Sequence, residues 1–341
     1  MHQGRGETLV KFGVIGYGYW GPNVVRNLDQ LEGCTVIAVC DRNSTARQRV
    51  HQTYAPVKVL SQTADLISST EIDAIAIVTP LESHYELTKA ALQNGKHVFV
   101  EKPFTSDSNQ AEELINLAAA KNLKIMVDHT FLFTGAVDTI QQLLDDGTLG
   151  KMYYYDSTRV NLGLVQDDVN VIWDLASHDL SIIDYLVKEA PEAISATGQA
   201  HLNGFEDMAF ITVYFPSKIV AHVNVNWLSP VKIRTTVIGG DKKMLVWNDL
   251  EAVKKIKVYD SGVEITSGEG PCSLPVNYRS GTIWSPQVEQ TEALKQALAC
   301  FIDCVSNDRT PFSNGAAGLR VVKLLEAAHR SMQARGAPVY L

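Results

Sequence analysis

Three groups of residues in this chain are spaced for chemistry. The first is Gly16-Tyr17-Gly18-Tyr19-Trp20-Gly21, which directly follows the apolar run 12–15 and precedes a helical pattern over 22–31. Between strand and helix, Gly16 permits a tight turn, Gly18 lets the backbone approach a pyrophosphate, and Gly21 lets the helix pack on the strand. The helix start, with Tyr19 and Trp20 in the loop before it, presents free N–H groups and partial positive charge to phosphates. Asp41 lies twenty residues beyond Gly21, at the end of the second strand pattern. A carboxylate there accepts hydrogen bonds from adenosine ribose hydroxyls and repels a 2′-phosphate, which selects NAD. Arg42, whose guanidinium could hold that phosphate, keeps NADP as the alternative. The second group is Lys102, which follows a strand pattern and so falls at the carboxyl edge of a sheet, where ligands bind. The third is Asp174 and His178, four apart and therefore on one face of a helix. The carboxylate can orient the imidazole and stabilise its charged form, and histidine, titrating near neutrality, can accept and return a proton.

Positioning these groups takes a sheet edge and a helix. Apolar runs of strand length at 11–15, 36–40, 74–78, 97–100 and 124–127 alternate with amphipathic stretches such as 82–93 and 106–121. Continuous apolar strands separated by helices imply a parallel sheet covered on both faces. The expectation is α/β: a doubly wound Rossmann domain over 1–130, with 1–10 flexible, followed by an α+β domain over 131–341. The second domain reads as helix 135–146, strand 152–160, helix 173–187, and strands at 193–200, 208–215, 219–227, 232–238 and 243–247. Turn residues such as Pro216-Ser217 and Gly239-Gly240-Asp241 punctuate them, arguing a largely antiparallel open sheet. Residues 261–286, rich in Gly, Pro and Ser, read as a loop, and helices 287–306 and 315–333 close the chain.

The 341 residues are 45% hydrophobic and 20% charged, ordinary globular values that set aside disordered and fibrous classes. A net charge of −8 without a basic stripe argues against nucleic acid and anionic membrane surfaces as partners. The first ten residues lack a signal peptide's apolar stretch and no run of eighteen apolar residues occurs, so the expectation is a cytoplasmic protein. Cys34, Cys40, Cys272, Cys300 and Cys304 show no metal-ligand spacing and read as reduced thiols; no metal site is expected.

Ile77-Val78-Thr79-Pro80, then His84, then Asn94-Gly95-Lys96-His97-Val98-Phe99-Val100-Glu101-Lys102-Pro103 resembles the glucose–fructose oxidoreductase / inositol dehydrogenase (Gfo/Idh/MocA) family, across essentially the whole chain. The resemblance implies an NAD-dependent dehydrogenase acting on a CH–OH group of a small sugar or nucleotide sugar, assembled as a homodimer or homotetramer. It implies that Lys102 reaches the nicotinamide and the oxygen on the reacting carbon, with Lys102–Pro103 cis. Asp174 and His178 match the family's D-x-x-x-H pair, Thr79, Pro80 and His84 match positions around the cofactor, and Glu101 lies beside the nicotinamide ribose. Oxidising a secondary alcohol needs a base for the hydroxyl proton. His178 is assigned that role, with Lys102 as electrostatic partner and the reversed roles as the alternative. Asp128-His129-Thr130-Phe131 departs from the Arg- or Tyr-rich segment of many members, so no substrate contact is inferred there. His129 reads as a rim or core histidine, and His97 and His222 as structural.

The segments Gly16-Tyr17-Gly18-Tyr19-Trp20-Gly21-Pro22-Asn23 and Trp173-Asp174-Leu175-Ala176-Ser177-His178-Asp179 resemble a narrower branch. Its members are assigned as 3-dehydrogenases of UDP-N-acetylglucosamine or its uronic acid and accompany surface-polysaccharide synthesis. The alternatives are a dehydrogenase of inositols or free aldoses, a reductase of keto-sugar nucleotides, and a dinucleotide sensor without turnover. The intact Lys102, Asp174 and His178 argue against the sensor.

Overall fold

A computed structural model describes residues 9–163, 165–265 and 276–341. Residues 1–8 of the segment expected to be flexible, and Cys272, lie outside the described residues. The chain divides into two units, one of residues 1–133 with 291–323, the other of 134–290 with 324–341.

In the first unit the apolar runs become β1 (Val10–Ile15), β2 (Cys34–Cys40), β3 (Lys58–Leu60), β4 (Ala74–Ile77), β5 (His97–Glu101) and β6 (Ile125–Asp128). They form one sheet in the order β3-β2-β1-β4-β5-β6, every pair parallel. All four residues of β4 are buried, so the strand has no solvent side and needs cover on both faces. The strand order reverses between β1 and β4, where an open α/β sheet leaves a crevice at its carboxyl ends. Two of the covering helices carry side-chain caps. Asn43 accepts from the amides of Thr45 and Ala46 before Ser44–Thr53, and Asp107 from those of Asn109 and Gln110 before Ser108–Ala120.

The unit is not one continuous stretch. Helix Ala293–Ser306, expected to begin at 287 and to lie in the second domain, packs Leu294, Leu298 and Phe301 into the core beside β1. The Phe301 ring lies 6.0 Å from that of Phe12 and 5.7 Å from that of Phe99, centroid to centroid. An apolar stripe declares that a helix face is buried but not against what, so a single cut near residue 130 misses this return of the chain.

The second unit carries β7 (Met152–Leu162), β8 (Ala193–Gln199), β9 (Met208–Tyr214), β10 (Val220–Asn226), β11 (Leu228–Gly240), β12 (Met244–Asn248), β13 (Ile256–Ile265), β14 (Val276–Trp284) and β15 (Val339–Tyr340). The sheet order is β14-β13-β12-β11-β7-β10-β9-β8-β15. Every neighbouring pair is antiparallel except β7 and β10. In β10, Ala221, Val223 and Val225 are buried and the residues between them are not, the alternation of a sheet with one face on a core. The expectation of a loop over 261–286 is corrected for its described parts, since β13 and β14 pair from Val258↔Trp284 to Ile265↔Val276; residues 266–275 lie outside the described residues. Gly262, Gly281 and the serines thinned the β-branched density on which a strand reading relies, but ladder hydrogen bonds come from the backbone and do not need it.

Phe301→Ala tests the return of the chain. Loss of a fully buried ring from the first unit should cost ~3–5 kcal/mol in denaturant unfolding. A cost below about 1 kcal/mol would mean that the helix is not part of this core.

Candidate active site

The glycine-rich loop follows β1 with its conformation set by close backbone approach. Gly16 has φ +98°, and a Cβ on it would lie 2.1 Å from the Val78 carbonyl oxygen. A Cβ on Gly21 would lie 2.3 Å from the Gly16 carbonyl oxygen. At Gly18 a Cβ would meet nothing within 4 Å, so its face is open. Helix Gly21–Gln30 begins with proline in its first turn and no side-chain cap; the Asn23 and Val24 amides donate to the Trp20 carbonyl, and the positive end of the helix faces the loop. Asp41 takes the Tyr17 amide on Oδ2 and the Asn43 amide on Oδ1, both at 2.7 Å. Its carboxylate therefore anchors the loop and still has lone pairs to offer. Arg49 was missed in the sequence: its guanidinium donates to the Tyr17 carbonyl at 3.2 Å and lies 5.6 Å over the Tyr17 ring.

A cavity of about 540 Å³ opens here, lined by Gly16, Gly18, Asp41, Arg42, Thr79 and Pro80 among others. It lies where the strand order reverses and offers bare backbone, an open helix start and a carboxylate, which fits a dinucleotide. Tyr19, 90% exposed, and Trp20 are not among the lining residues.

His84 stands behind this wall rather than in it. The ring is buried, with Nδ1 2.8 Å from the Pro103 carbonyl and Nε2 2.8 Å from the Thr79 carbonyl. Burial pulls its pKa below the usual imidazole value, so the ring is neutral at pH 7 and has one N–H to donate. The spacing from Thr79-Pro80 through His84 to Glu101-Lys102-Pro103 thus corresponds to a clamp joining two loops. The Lys102–Pro103 peptide is cis.

Beside it, β5 and β6 end with Glu101 opposite Asp128. Burial, reinforced by Asp128, pushes the Glu101 carboxyl well above the carboxylate range, against the pull of Lys102. Burial also raises Asp128, against hydrogen bonds from Thr130, Glu101 and Trp20. His129 is buried, a core histidine. Burial, then the Lys102 charge, pushes it down to about 3, and it is neutral. His97 accepts the Lys124 amide at Nδ1, a structural bond. The thiols of Cys34 and Cys40 are raised to about 11 and that of Cys300 to about 12, all three chiefly by burial, so they stay protonated.

In the second unit Asp174 and His178 do not lie on the one regular α-helix expected over 173–187. Ile172–Ala176 is a π-helical turn, and α-helix Ser177–Val187 follows it. Asp174 falls within the wider turn and His178 beyond it, so the two are not one ideal α-turn apart. The turn is held from both sides. Asn170 Oδ1 accepts the Trp173 amide at 3.2 Å, and the Trp227 indole donates to Asp174 Oδ2 at 3.1 Å. Trp227 is 1% exposed and Asp174 and His178 are half-buried. The neighbouring Asp179 is bound by Arg159 of β7, Nε to Oδ2 at 2.6 Å, a buried pair that pins this helix to its sheet. Neither Trp227 nor Arg159 had a signal in the sequence, since partners 53 and 20 residues away carry no spacing rule.

Among the described residues no helix is long and apolar enough to cross a membrane, and no three His, Cys, Asp or Glu side chains are grouped to hold a metal. Residues 10–129 match the model of an oxidoreductase family with an NAD-binding Rossmann fold, and residues 137–246 match the GFO/IDH/MocA C-terminal domain. An uncharacterised oxidoreductase of Streptococcus pneumoniae is 27% identical over 62% of this chain and 60% of its own length. The UDP-N-acetylglucosamine 3-dehydrogenase of Acidithiobacillus ferrooxidans is 25% identical over 92% of this chain and 94% of its own. The crystal structure of a putative oxidoreductase from Magnetospirillum magnetotacticum superposes with a TM-score of 0.80 at 27% identity, covering 93% of this chain and 99% of the other.

The two central glycines should separate folding from binding. Gly18→Ala should leave the thermal midpoint nearly unchanged and weaken NAD in a fluorescence titration. Gly16→Ala should lower the midpoint, since the strain is of order 1–3 kcal/mol or more. The opposite pattern would refute this division of roles.

Proposed function

The chain belongs to the GFO/IDH/MocA oxidoreductase family, and from that premise we propose that it takes a hydride from a secondary alcohol of a sugar, at C3 of a UDP-linked N-acetylhexosamine or its uronic acid. The observation that carries the catalytic part is the Asp174–His178 segment. There a half-buried carboxylate, tied at one oxygen by a buried indole, precedes an imidazole on a helix pinned by a buried ion pair. Such a group is built for proton transfer and not for packing. The sugar assignment is supported by the resemblance of residues 16–23 and 173–179 and by the likeness to the Acidithiobacillus dehydrogenase.

The backbone of Gly16, Gly18 and Gly21 would hold the pyrophosphate and Asp41 the adenosine ribose, with Thr79 and Pro80 on the wall. When bound, NAD supplies the hydride acceptor. His178 takes the hydroxyl proton, and Asp174 stabilises the imidazolium so formed. Lys102 places positive charge against the oxygen as it becomes an alkoxide. Glu101 would stand beside the nicotinamide ribose, as the resemblance implies. The protein works in the cytoplasm, where its thiols stay reduced.

The second unit's sheet supplies a subunit interface. Phe210, Tyr214 and Val220 of β9 and β10 turn outward, 40%, 36% and 37% exposed. His222, half-exposed on the same strands, stacks on Phe210 with ring centroids 6.5 Å apart. A symmetric copy would cover these side chains.

Two measurements test the proposal. NADH formation across a panel of UDP-sugars, inositols and free aldoses should be greatest with a UDP-N-acetylhexosamine or its uronic acid. On that substrate His178→Ala should lower kcat by ~10²–10⁴ with NAD affinity unchanged, and Lys102→Ala should lower kcat with some loss of affinity. Near wild-type turnover of His178→Ala would transfer the base role to Lys102. Light scattering at micromolar concentration should give a dimer or tetramer, and a strictly monomeric mass would remove the interface.

A further inference from the structure

Asp128 ends β6 with no exposed surface, directly opposite Glu101 at the end of β5. The parallel register sets the two carboxyls side by side, and burial raises both. Two carboxylates in such contact, away from water, cannot both stay ionised, because repulsion adds to the cost of burying each charge. The pattern of donors says the same. Among the described residues, no donor is placed on Glu101 Oε1 or on Asp128 Oδ2, both buried. Ionised carboxylates only accept, so a proton kept by the pair supplies the donor that neither has.

The surroundings decide which side chain keeps it. Asp128 receives the Thr130 hydroxyl on Oδ1 at 2.8 Å. Donors stabilise the ionised form, so the charge stays on Asp128 and the proton on Glu101. Lys102 supplies opposite charge to both, and His129, next in the chain, is neutral.

We propose that Asp128 is a positioning residue of this site: it shares one proton with Glu101, so that Lys102, next to Glu101 in the chain, stands beside a pair bearing a single negative charge. The functional part rests on the role given above to Lys102 and to the cofactor cradle. The pair's single charge balances the lysine's.

The full-length protein at neutral pH tests this without turnover. Its infrared spectrum should contain the carbonyl band of a protonated carboxyl that shifts in D₂O. The band should vanish in both Asp128→Asn and Glu101→Gln, because the amide supplies the missing donor and the remaining carboxyl ionises. Absence of the band in the wild type, or its survival in either variant, overturns proton sharing. NAD titration tests the positioning role. Asp128→Ala, which removes the acceptor for Thr130 and the partner of Glu101, should weaken NAD about ten-fold, the scale of a hydrogen bond to a charged group, while Asp128→Asn should bind within about three-fold of wild type. Wild-type affinity in Asp128→Ala overturns the positioning role. Neither measurement depends on the sugar or on His178, so failure of the proposed reaction would leave these results standing and the two failures are distinguishable.

Discussion

The register of the parallel sheet is the constraint on which the first unit's chemistry depends. Ile15 pairs with Cys40 and with Ile77, Ile77 pairs with Val100, and Glu101 pairs with Asp128. The strands therefore end nearly level, and the residues after them emerge along one edge: Gly16, Asp41, Val78-Thr79, Lys102 and His129. In sequence these positions are spread over more than a hundred residues. A shift of one residue in any strand would exchange buried for edge-facing side chains and remove one member of the set. The close approach of Gly16 to the Val78 carbonyl follows from this register, because β1 and β4 are neighbours and leave no room for a Cβ between their ends.

Each unit also keeps buried polar groups, each with a cost that its partner must offset. His84 gives up hydration to stand between two carbonyls, and Arg159 and Asp179 do so as a charged pair. Such groups add little net stability compared with apolar packing, and removing one partner strands the other in a medium that cannot solvate it. Their value lies in fixed geometry. His84 fixes Thr79 relative to Pro103, and Asp179 fixes the helix that carries His178. The chain places its costly polar contacts next to the residues that resemblance marks as functional, one step removed from them.

What could be read in the sequence is what the backbone demands. Gly16 and Gly21 were legible because only glycine fits there, and the strands of the first unit because both of their faces are buried. The clamp was legible as a spacing but not as a role, since His84 was placed at the cofactor and stands behind the wall. Trp227 and Arg159 were invisible because each acts across a long sequence separation on a partner that nothing local specifies. Asp128 was passed over as a departure from the family's segment, and its meaning emerges only when β6 is laid beside β5. The β13–β14 hairpin and the return of helix Ala293–Ser306 to the first core failed for a related reason. Composition and periodicity describe one element at a time, whereas pairing and packing belong to two.

Asp41 shows how a single side chain can serve both levels. Its two oxygens already hold the Tyr17 and Asn43 amides, so the carboxylate is oriented before any ligand arrives. A preoriented acceptor pays less entropy when it takes up ribose hydroxyls than one that must first be fixed. The same anchoring means that neutralising Asp41 would act twice, removing the acceptor proposed for the ribose and loosening the Tyr17 amide that shapes the glycine-rich loop. Arg42 shares the cavity wall, and its exposed guanidinium is a positive charge within the same stretch of chain. On the proposed roles, discrimination between NAD and NADP would rest on the balance of a fixed anion against an exposed cation. The anion has the advantage of rigidity: a 2′-phosphate entering the cavity meets a carboxylate that cannot turn away without giving up two hydrogen bonds to the backbone.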